Sequence, residues 1–227
     1  PGAIRVAAGE RGGRADVTRT ESDLPVLLAG PILRRTEATG IKVWVATSAP
    51  VTVRVSLYSE NSMHEWLPAG TSGPGSVLRL GRNLYVHLVS LAAPIEEDRI
   101  YGYDLTFEAP EGMEFTHGDG LIPRADLVYR HYPYPTFLRG LPRGSRKLNL
   151  LHASCRKLHG PGADAVPPMD TYLESKARSL TERPAALLLT GDQIYADDVH
   201  PSVLGAVMRA SEALLGFPEH LPAGPHG

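Results

Sequence analysis

Apolar side chains recur with a period of two between residues 26 and 108. In segment 51–58, valine and leucine alternate with threonine, arginine, serine and tyrosine, which is typical of a strand with one buried and one solvated face. The same alternation gives predicted inner faces at Ile41, Val43 and Val45, at Leu84, Val86 and Leu88, and at Tyr101, Tyr103, Leu105 and Phe107. Turns rich in proline and glycine separate these segments. The pattern predicts a small β sandwich of fibronectin or immunoglobulin type.

The pattern changes after residue 146. Segments 147–152 and 185–190 are short, nearly continuous apolar runs, as in strands of a parallel sheet that is covered on both faces. Between them, four apolar residues recur close to the helical period, namely Met169, Tyr172, Leu173 and Leu180. Two prolines at 167–168 open this predicted helix, and segment 182–184 closes it. We therefore expect a βαβ unit, whose parallel strands place their carboxyl ends at one crevice.

Three side chains that can become anions follow these strand ends. Cys155 comes after the first apolar run, and Asp192 and Tyr195 come after the second. Converging anions repel one another unless a cation of high charge lies between them, so a metal site is one interpretation. A thiol and a phenol must lose protons to bind, which a ferric ion favours more than calcium or magnesium does. The alternative is structural, with a buried thiol, a helix cap and a packing aromatic.

Two motifs in this region resemble a known enzyme family. Segment 152–156 reads His-Ala-Ser-Cys-Arg, and segment 188–195 reads Leu-Leu-Thr-Gly-Asp-Gln-Ile-Tyr. Both are similar to the PhoD-like alkaline phosphatase D branch of the metallophosphoesterases. The stretch from Gly30-Pro31 through Val43-Trp-Val-Ala-Thr47 is similar to the N-terminal β domain of that family.

The resemblance implies a β sandwich followed by an α/β metallophosphoesterase domain of αββα type. It implies hydrolysis of phosphate esters, as an alkaline phosphatase or phosphodiesterase, with a metal-bound hydroxide as the nucleophile. It also implies Cys155, Asp192 and Tyr195 as ligands of Fe(III) and of Ca(II) or another divalent metal. Asp192 would bridge neighbouring ions.

Basic residues follow the cysteine directly. Arg156 and Lys157 could hold a substrate phosphate, because cationic N–H groups bind phosphate oxygens, or they could be solvated. His159 lies on the same loop and could donate a proton to a leaving oxygen. Arg156 and His159 are therefore candidate substrate-binding residues.

A second set of titratable residues, Asp197, Asp198 and His200, precedes a predicted helix over 202–215. Acidic side chains favour the positive N-terminal end of a helix, and proline at 201 suits its first position with His200 as cap. Gly216 suits the C-cap. We expect this set to be structural rather than metal-binding.

The order of these patterns predicts four segments. Residues 1–23 form a flexible lead-in, 24–110 an N-terminal β-sandwich domain, 111–146 an aromatic-rich connection that packs between domains, and 147–227 the first part of a truncated α/β domain. The family completes its site with an asparagine-histidine motif and further ligands, and none follows Tyr195 here. We expect these residues alone to be an inactive fragment. A non-catalytic binding module with a vestigial α/β appendage is the alternative.

Composition indicates which partners, other than a phosphate-ester substrate, the chain is expected to have. A net charge of -2 argues against a nucleic-acid partner, since phosphate backbones are held by a basic surplus. No segment approaches the ~20 consecutive apolar residues that a membrane span needs. The single cysteine excludes an internal disulfide. Trp44 and Trp66 are expected to pack in the core or at strand edges, and His64 and His87 to lie at the surface or in strand pairs.

Overall fold

The structure, a computed structural model, describes residues 24–108, 127–140 and 147–217. Eight strands form two antiparallel four-stranded sheets. The first sheet has the order β1-β2-β6-β5, with β1 Leu27–Glu37, β2 Gly40–Thr47, β6 Leu84–Ala92 and β5 Ser76–Gly81. The second has the order β4-β3-β7-β8, with β4 Trp66–Thr71, β3 Thr52–Glu60, β7 Ile100–Glu108 and β8 Thr136–Leu138.

The core lies between the two sheets. Alternate residues of β2 and β3 point into it, and Val43, Val45, Val55 and Leu57 have no exposed surface. They share one cluster with Val89 and Leu91 of β6 and with the tyrosines of β7. The predicted β sandwich is thus confirmed as an architecture, and its fibronectin or immunoglobulin subtype stays a prediction.

Strand β6 buries the face opposite to the one predicted. Its inner residues are Tyr85, His87, Val89 and Leu91, whereas Leu84, Val86 and Leu88 lie on the outer side. The pattern was ambiguous because apolar residues occur in both alternations of this strand. His87 was predicted to lie at the surface or in a strand pair. The second alternative is confirmed, because His87 pairs with Val45 of β2 and with Val77 of β5, and its side chain is only 1% exposed.

The predicted connection contributes to both parts of the molecule. Strand β8 lies within segment 111–146 and pairs with β7, so the sandwich includes residues beyond the predicted boundary at 110. Tyr132 packs edge to face against Trp66 of β4, and its hydroxyl donates to the carbonyl of Ala177 at 3.1 Å. The expected packing role of the aromatic run is confirmed at this residue.

A two-stranded parallel sheet follows. Strand β9 (Leu150–Ala153) pairs in register with β10 (Ala186–Leu189), and helix α1 (Val166–Lys176) lies between them in sequence. The parallel pair and the intervening helix are as predicted, although α1 ends before Leu180. The predicted cover on both sheet faces is not seen among the described residues, because α1 buries none of its own side chains and β10 is exposed throughout.

Helix α2 (Pro201–Leu215) is capped as predicted. The ring of His200 accepts from the backbone N–H of Ser202, and Gly216 adopts a left-handed conformation with φ of 79°. The end of α2 contacts the turn between β5 and β6, where Asn83 donates to the carbonyls of Ala213 and Leu214. Across the described ranges, neither helix combines the length and apolar character that crossing a membrane requires.

Candidate metal centre

The loops after β9 and β10 run side by side. The backbone N–H of Thr190 donates to the carbonyl of Ala153 at 3.0 Å, and that of Arg156 donates to the carbonyl of Asp192 at 2.8 Å. These bonds extend the parallel pairing beyond the strand ends. The residues that follow each strand are therefore held at one edge of the sheet, as the βαβ prediction requires.

Gly191 allows the two loops to approach closely. A β-carbon at this position would lie 2.6 Å from the backbone nitrogen of Cys155 and 2.7 Å from its sulfur. It would also lie 2.7 Å from the hydroxyl of Ser154. Because real β-carbons do not approach other atoms this closely, only glycine fits here without a shift of the neighbouring chain.

Cys155 and Tyr195 lie close enough to shift each other's protonation. The interaction with the Tyr195 hydroxyl is the largest cause that lowers the pKa of the Cys155 thiol, ahead of the backbone of Asp192 and the hydroxyl of Ser154. The same interaction raises the pKa of the Tyr195 hydroxyl to about 12. Ser154 donates its hydroxyl hydrogen to the Cys155 sulfur at 3.8 Å. The thiol is therefore ionised more readily than usual, whereas the phenol keeps its proton.

The carboxylate of Asp192 acts on both groups through its charge. It raises the pKa of the Cys155 thiol and also that of the Tyr195 hydroxyl, in each case as a smaller cause than the interaction between the thiol and the hydroxyl. A cation would remove this repulsion between three potential anions. The donor set thus fits a metal that accepts thiolate, phenolate and carboxylate.

The described ranges contain no group of three His, Cys, Asp or Glu side chains placed to hold a metal ion. At this edge of the sheet, Cys155 and Asp192 belong to those residue types, and the third candidate is a tyrosine. A site made of these three residues would therefore depend on the phenolate, or on further ligands.

Gln193 was not a sequence-based candidate, yet it ties the two loops together. Its side-chain amide donates to the carbonyl of Ser154 at 2.8 Å and to that of Gly191 at 3.1 Å. These bonds tie together the residues that directly precede Cys155 and Asp192. No spacing or composition signal marks this role, because it depends on two carbonyls that the strand pairing brings together.

Arg156 is held by an acidic partner. Its guanidinium makes two bonds to the carboxylate of Asp164, at 3.0 and 2.6 Å, and Asp164 also accepts the backbone N–H of Val166 at the start of α1. These two contacts hold the pKa of the Asp164 carboxyl below its usual range. A cavity of about 490 Å³ opens here, bordered by Cys155, Arg156 and Lys157. The substrate-binding role of Arg156 stays a prediction.

The sequence did not predict the position of Asp198. Its carboxylate pairs with the ammonium of Lys157 and lies 3.4 Å from Nε2 of His159, so it links the two loops across 41 residues of sequence. The ring of His159 also packs edge to face on His200, with centroids 5.9 Å apart. Asp198 was expected to act only at the N-terminal end of α2. It also interacts with two residues of the loop after β9.

No protein-family model, curated protein or solved structure matches the chain.

Proposed function

We propose that the protein is a metal-dependent phosphoesterase of the PhoD-like type, in which the parallel pair belongs to an αββα domain. Cys155, Asp192 and Tyr195 would hold Fe(III), and Asp192 would also reach a neighbouring Ca(II) or other divalent ion. The enzyme would act on phosphate monoesters or diesters. The residues described here would supply one part of the centre.

One observation carries this proposal. The Cys155 thiol and the Tyr195 hydroxyl lie close enough to shift each other's pKa, beyond the carboxyl ends of two adjacent parallel strands, and the backbone and charge of Asp192 act on the same thiol. Ligands in open α/β sheets bind at this edge. In the structural alternative, a thiol is a small buried residue, whereas Cys155 is exposed.

The residues of this chain have defined tasks in the proposed reaction. When bound, the metal ions activate a water-derived nucleophile and neutralise charge on the transferring phosphoryl group. Cys155 and Tyr195 would each lose a proton on metal binding, because both atoms are needed as anionic ligands. Lys157 borders the cavity and would hold a phosphate oxygen.

Colour tests the metal assignment. Phenolate bound to ferric iron absorbs visible light by charge transfer, so the iron-loaded protein of native length should be coloured, and Tyr195→Phe should bleach it. Tyr172→Phe is the matched control, because Tyr172 lies on α1 and is 43% exposed. A colourless, iron-free protein that is fully active would refute the iron assignment and leave the phosphoesterase proposal standing.

Turnover tests the function itself. With added iron and calcium, the native-length protein should hydrolyse para-nitrophenyl phosphate or its bis-ester. Asp192→Asn should remove most of this activity, since a bridging carboxylate contacts two cations. Glu212→Gln, on the exposed side of α2, should leave it unchanged. Wild-type turnover in Asp192→Asn, with unchanged metal content, would show that the site has been misplaced.

A further inference from the structure

A second cavity lies between the sandwich and the βαβ unit. Its volume is about 570 Å³, which is within the range of small-ligand sites, and such sites often lie between domains. It is bordered by the end of β3 and the turn after it, by residues 98–100 around the start of β7, and by Arg178 and Leu180 after α1. None of these residues belongs to the candidate metal centre or borders the cavity beside it.

Glu60, the last residue of β3, brings a nearly buried carboxylate to this cavity. Its side chain is 9% exposed, and one oxygen accepts a hydrogen bond from Nδ1–H of His64 at 2.8 Å. Within the described residues, no donor pairs with the other oxygen, Oε2. Since that part of the chain has no fully buried side-chain oxygen without a partner, Oε2 keeps some access to solvent. A cationic group in the cavity would stabilise this poorly solvated charge.

Arg178 brings a guanidinium group to the same cavity from the βαβ unit. It donates to the carbonyl of His131 at 3.1 Å and lies over the ring of Tyr132, 5.3 Å from its centre. In the described ranges, no carboxylate pairs with it. The charges of Glu60 and Arg178 both act on the Tyr132 hydroxyl, whose pKa is raised chiefly by burial. The cavity thus holds two opposite charges that do not pair with each other and can still bond to a ligand.

The remaining lining residues distinguish between classes of ligand. Asp98 and Arg99 add a second set of opposite charges, so the carboxylates and guanidinium groups of the lining balance. A simple anion would meet two carboxylates and a simple cation two guanidinium groups, and like charges repel. Leu67, Ile100 and Leu180 supply an apolar part of the wall. The lining therefore suits a molecule that has both charges and an apolar part.

We propose that this cavity binds a small zwitterion with an ammonium group, a carboxylate group and an apolar body, such as an apolar amino acid or a short apolar peptide. The ammonium group bonds to Oε2 of Glu60. The carboxylate bonds to the guanidinium of Arg178, whose planar shape matches a carboxylate. The apolar body lies against Ile100 and the two leucines. This binding site goes beyond the phosphoesterase function and does not depend on it.

Partial ligands test the need for both charges. In titrations of the 227-residue chain followed by proton–nitrogen NMR, L-leucine or L-leucyl-L-leucine should shift the amides that border this cavity. The dipeptide separates the two charges more widely than the amino acid does. Isocaproate lacks the ammonium group of leucine, and isoamylamine lacks its carboxylate. Each should bind at least about tenfold more weakly than the tighter zwitterion, because it loses one charge-assisted contact.

Two results of these titrations would overturn the proposal. One is a partial ligand that binds as tightly as both zwitterions. The other is the absence of amide shifts around the cavity with leucine and with leucyl-leucine. Phosphatase activity enters neither result, so the binding site and the phosphoesterase function succeed or fail separately.

Neutral variants test the two contacts. Glu60→Gln keeps an acceptor for His64 but removes the charge, and Arg178→Gln removes the guanidinium. Each should weaken binding of the tighter zwitterion by about tenfold or more. The matched controls, Glu37→Gln and Arg130→Gln, remove exposed charges outside the cavity and should leave binding unchanged. Undiminished binding in either cavity variant would refute the proposed contacts.

Discussion

At the scale of single residues, Gly191 permits the close approach of the two loops of the candidate metal centre, because it has no β-carbon. Gly191→Ala would force a β-carbon to within 2.7 Å of the Cys155 sulfur. We expect a loss of about 1–3 kcal/mol in the free energy of unfolding, as for other overpacked sites. The contact of Cys155 with Tyr195 should also weaken. The pH midpoint for alkylation of this single cysteine should then rise.

Gly162→Ala is the control for that experiment. A β-carbon at Gly162 would meet nothing within 4 Å, although the residue borders the same cavity as Cys155. Stability and thiol reactivity should stay close to those of the wild type. Equal behaviour of both alanine variants would mean that the loops do not depend on the close approach at Gly191.

His87 predicts a pH dependence of the sandwich. The hydroxyl of Thr47 donates to the carbonyl of Ala49 at 2.8 Å, so Nε2–H of His87 must donate to that hydroxyl at 2.9 Å. Burial lowers the pKa of His87 from 6.5. The unfolded chain therefore binds the proton first as the pH falls. Stability should be full above 6.5 and should decrease as the pH drops below that value.

His87→Gln isolates this effect. Glutamine supplies an N–H donor for the Thr47 hydroxyl but does not titrate. Urea unfolding should be measured at several pH values between about 5 and 7.5, a range that brackets the ordinary histidine pKa. The free energy of unfolding should fall with decreasing pH in the wild type and change much less in the variant. Identical slopes would assign the pH dependence to other residues.

At the scale of secondary-structure elements, alanine substitutions at two glycines should change the stability of α2 in opposite directions. One glycine lies inside the helix and the other is its C-cap. Gly205 lies inside the helix, where an added β-carbon meets only the flexible end of Arg209 at 3.5 Å. Gly205→Ala should stabilise the helix by up to about 1 kcal/mol. Gly216 has φ of +79°, and an added β-carbon would lie 2.6 Å from Arg82. Gly216→Ala should destabilise the helix by about 1 kcal/mol or more.

Hydrogen exchange of the α2 amides measures both changes in the same element. Protection should increase in Gly205→Ala and decrease in Gly216→Ala, with the largest decrease near the contact with Asn83. Faster exchange in Gly205→Ala would indicate that the helix approaches a neighbour at that position.

The buried face of a strand was predictable from sequence where apolar residues occupy only one of its two faces. It was not predictable where apolar residues occupy both faces. In β3, polar residues occupy every second position, so only one face could be buried. In β6, apolar residues lie on both faces, and a buried histidine interrupts the inner one. The inner face is selected by contacts that no local pattern contains, such as the bond from His87 to Thr47.

The candidate site was likewise predictable only in part. Parallel pairing alone predicts that Cys155 and the residues after β10 meet, because strand ends are adjacent in a βαβ unit. The link from Asp198 to Lys157 and His159 depends on how the second loop folds back after Tyr195. An acidic residue ahead of a helix is usually explained by its interaction with the positive N-terminal end of that helix. For this reason the sequence did not indicate the long-range pairs of Asp198.

At the scale of the whole molecule, the sandwich and the βαβ unit are joined by polar contacts around a few aromatic rings. Arg183 donates to the carbonyl of Thr136 in β8 at 2.6 Å and to that of Ala177 at 3.1 Å. Tyr132 reaches the same Ala177 carbonyl while it packs on Trp66. The edge of the parallel sheet that carries Cys155 is thus positioned relative to the sandwich through the end of α1.

The described part of the chain leaves a large apolar surface uncovered. One face of α2 carries Val203, Leu204, Val207 and Met208, which are between 46% and 64% exposed. The leucines of β10 are exposed to a similar extent. Exposed apolar side chains grouped on one element promote association. We expect the 227-residue chain to bind the dye ANS and to self-associate as its concentration rises.

The double variant Leu204→Glu with Val207→Lys should reduce both effects, because it places a pair of opposite charges on the apolar face without changing the net charge. The control exchanges charges already exposed on α2, as Arg209→Glu with Glu212→Lys. Sedimentation velocity should show the first variant shifted toward the monomer and the control unchanged. A wild-type chain that stays monomeric and binds no ANS at high concentration would show that this face is covered in solution.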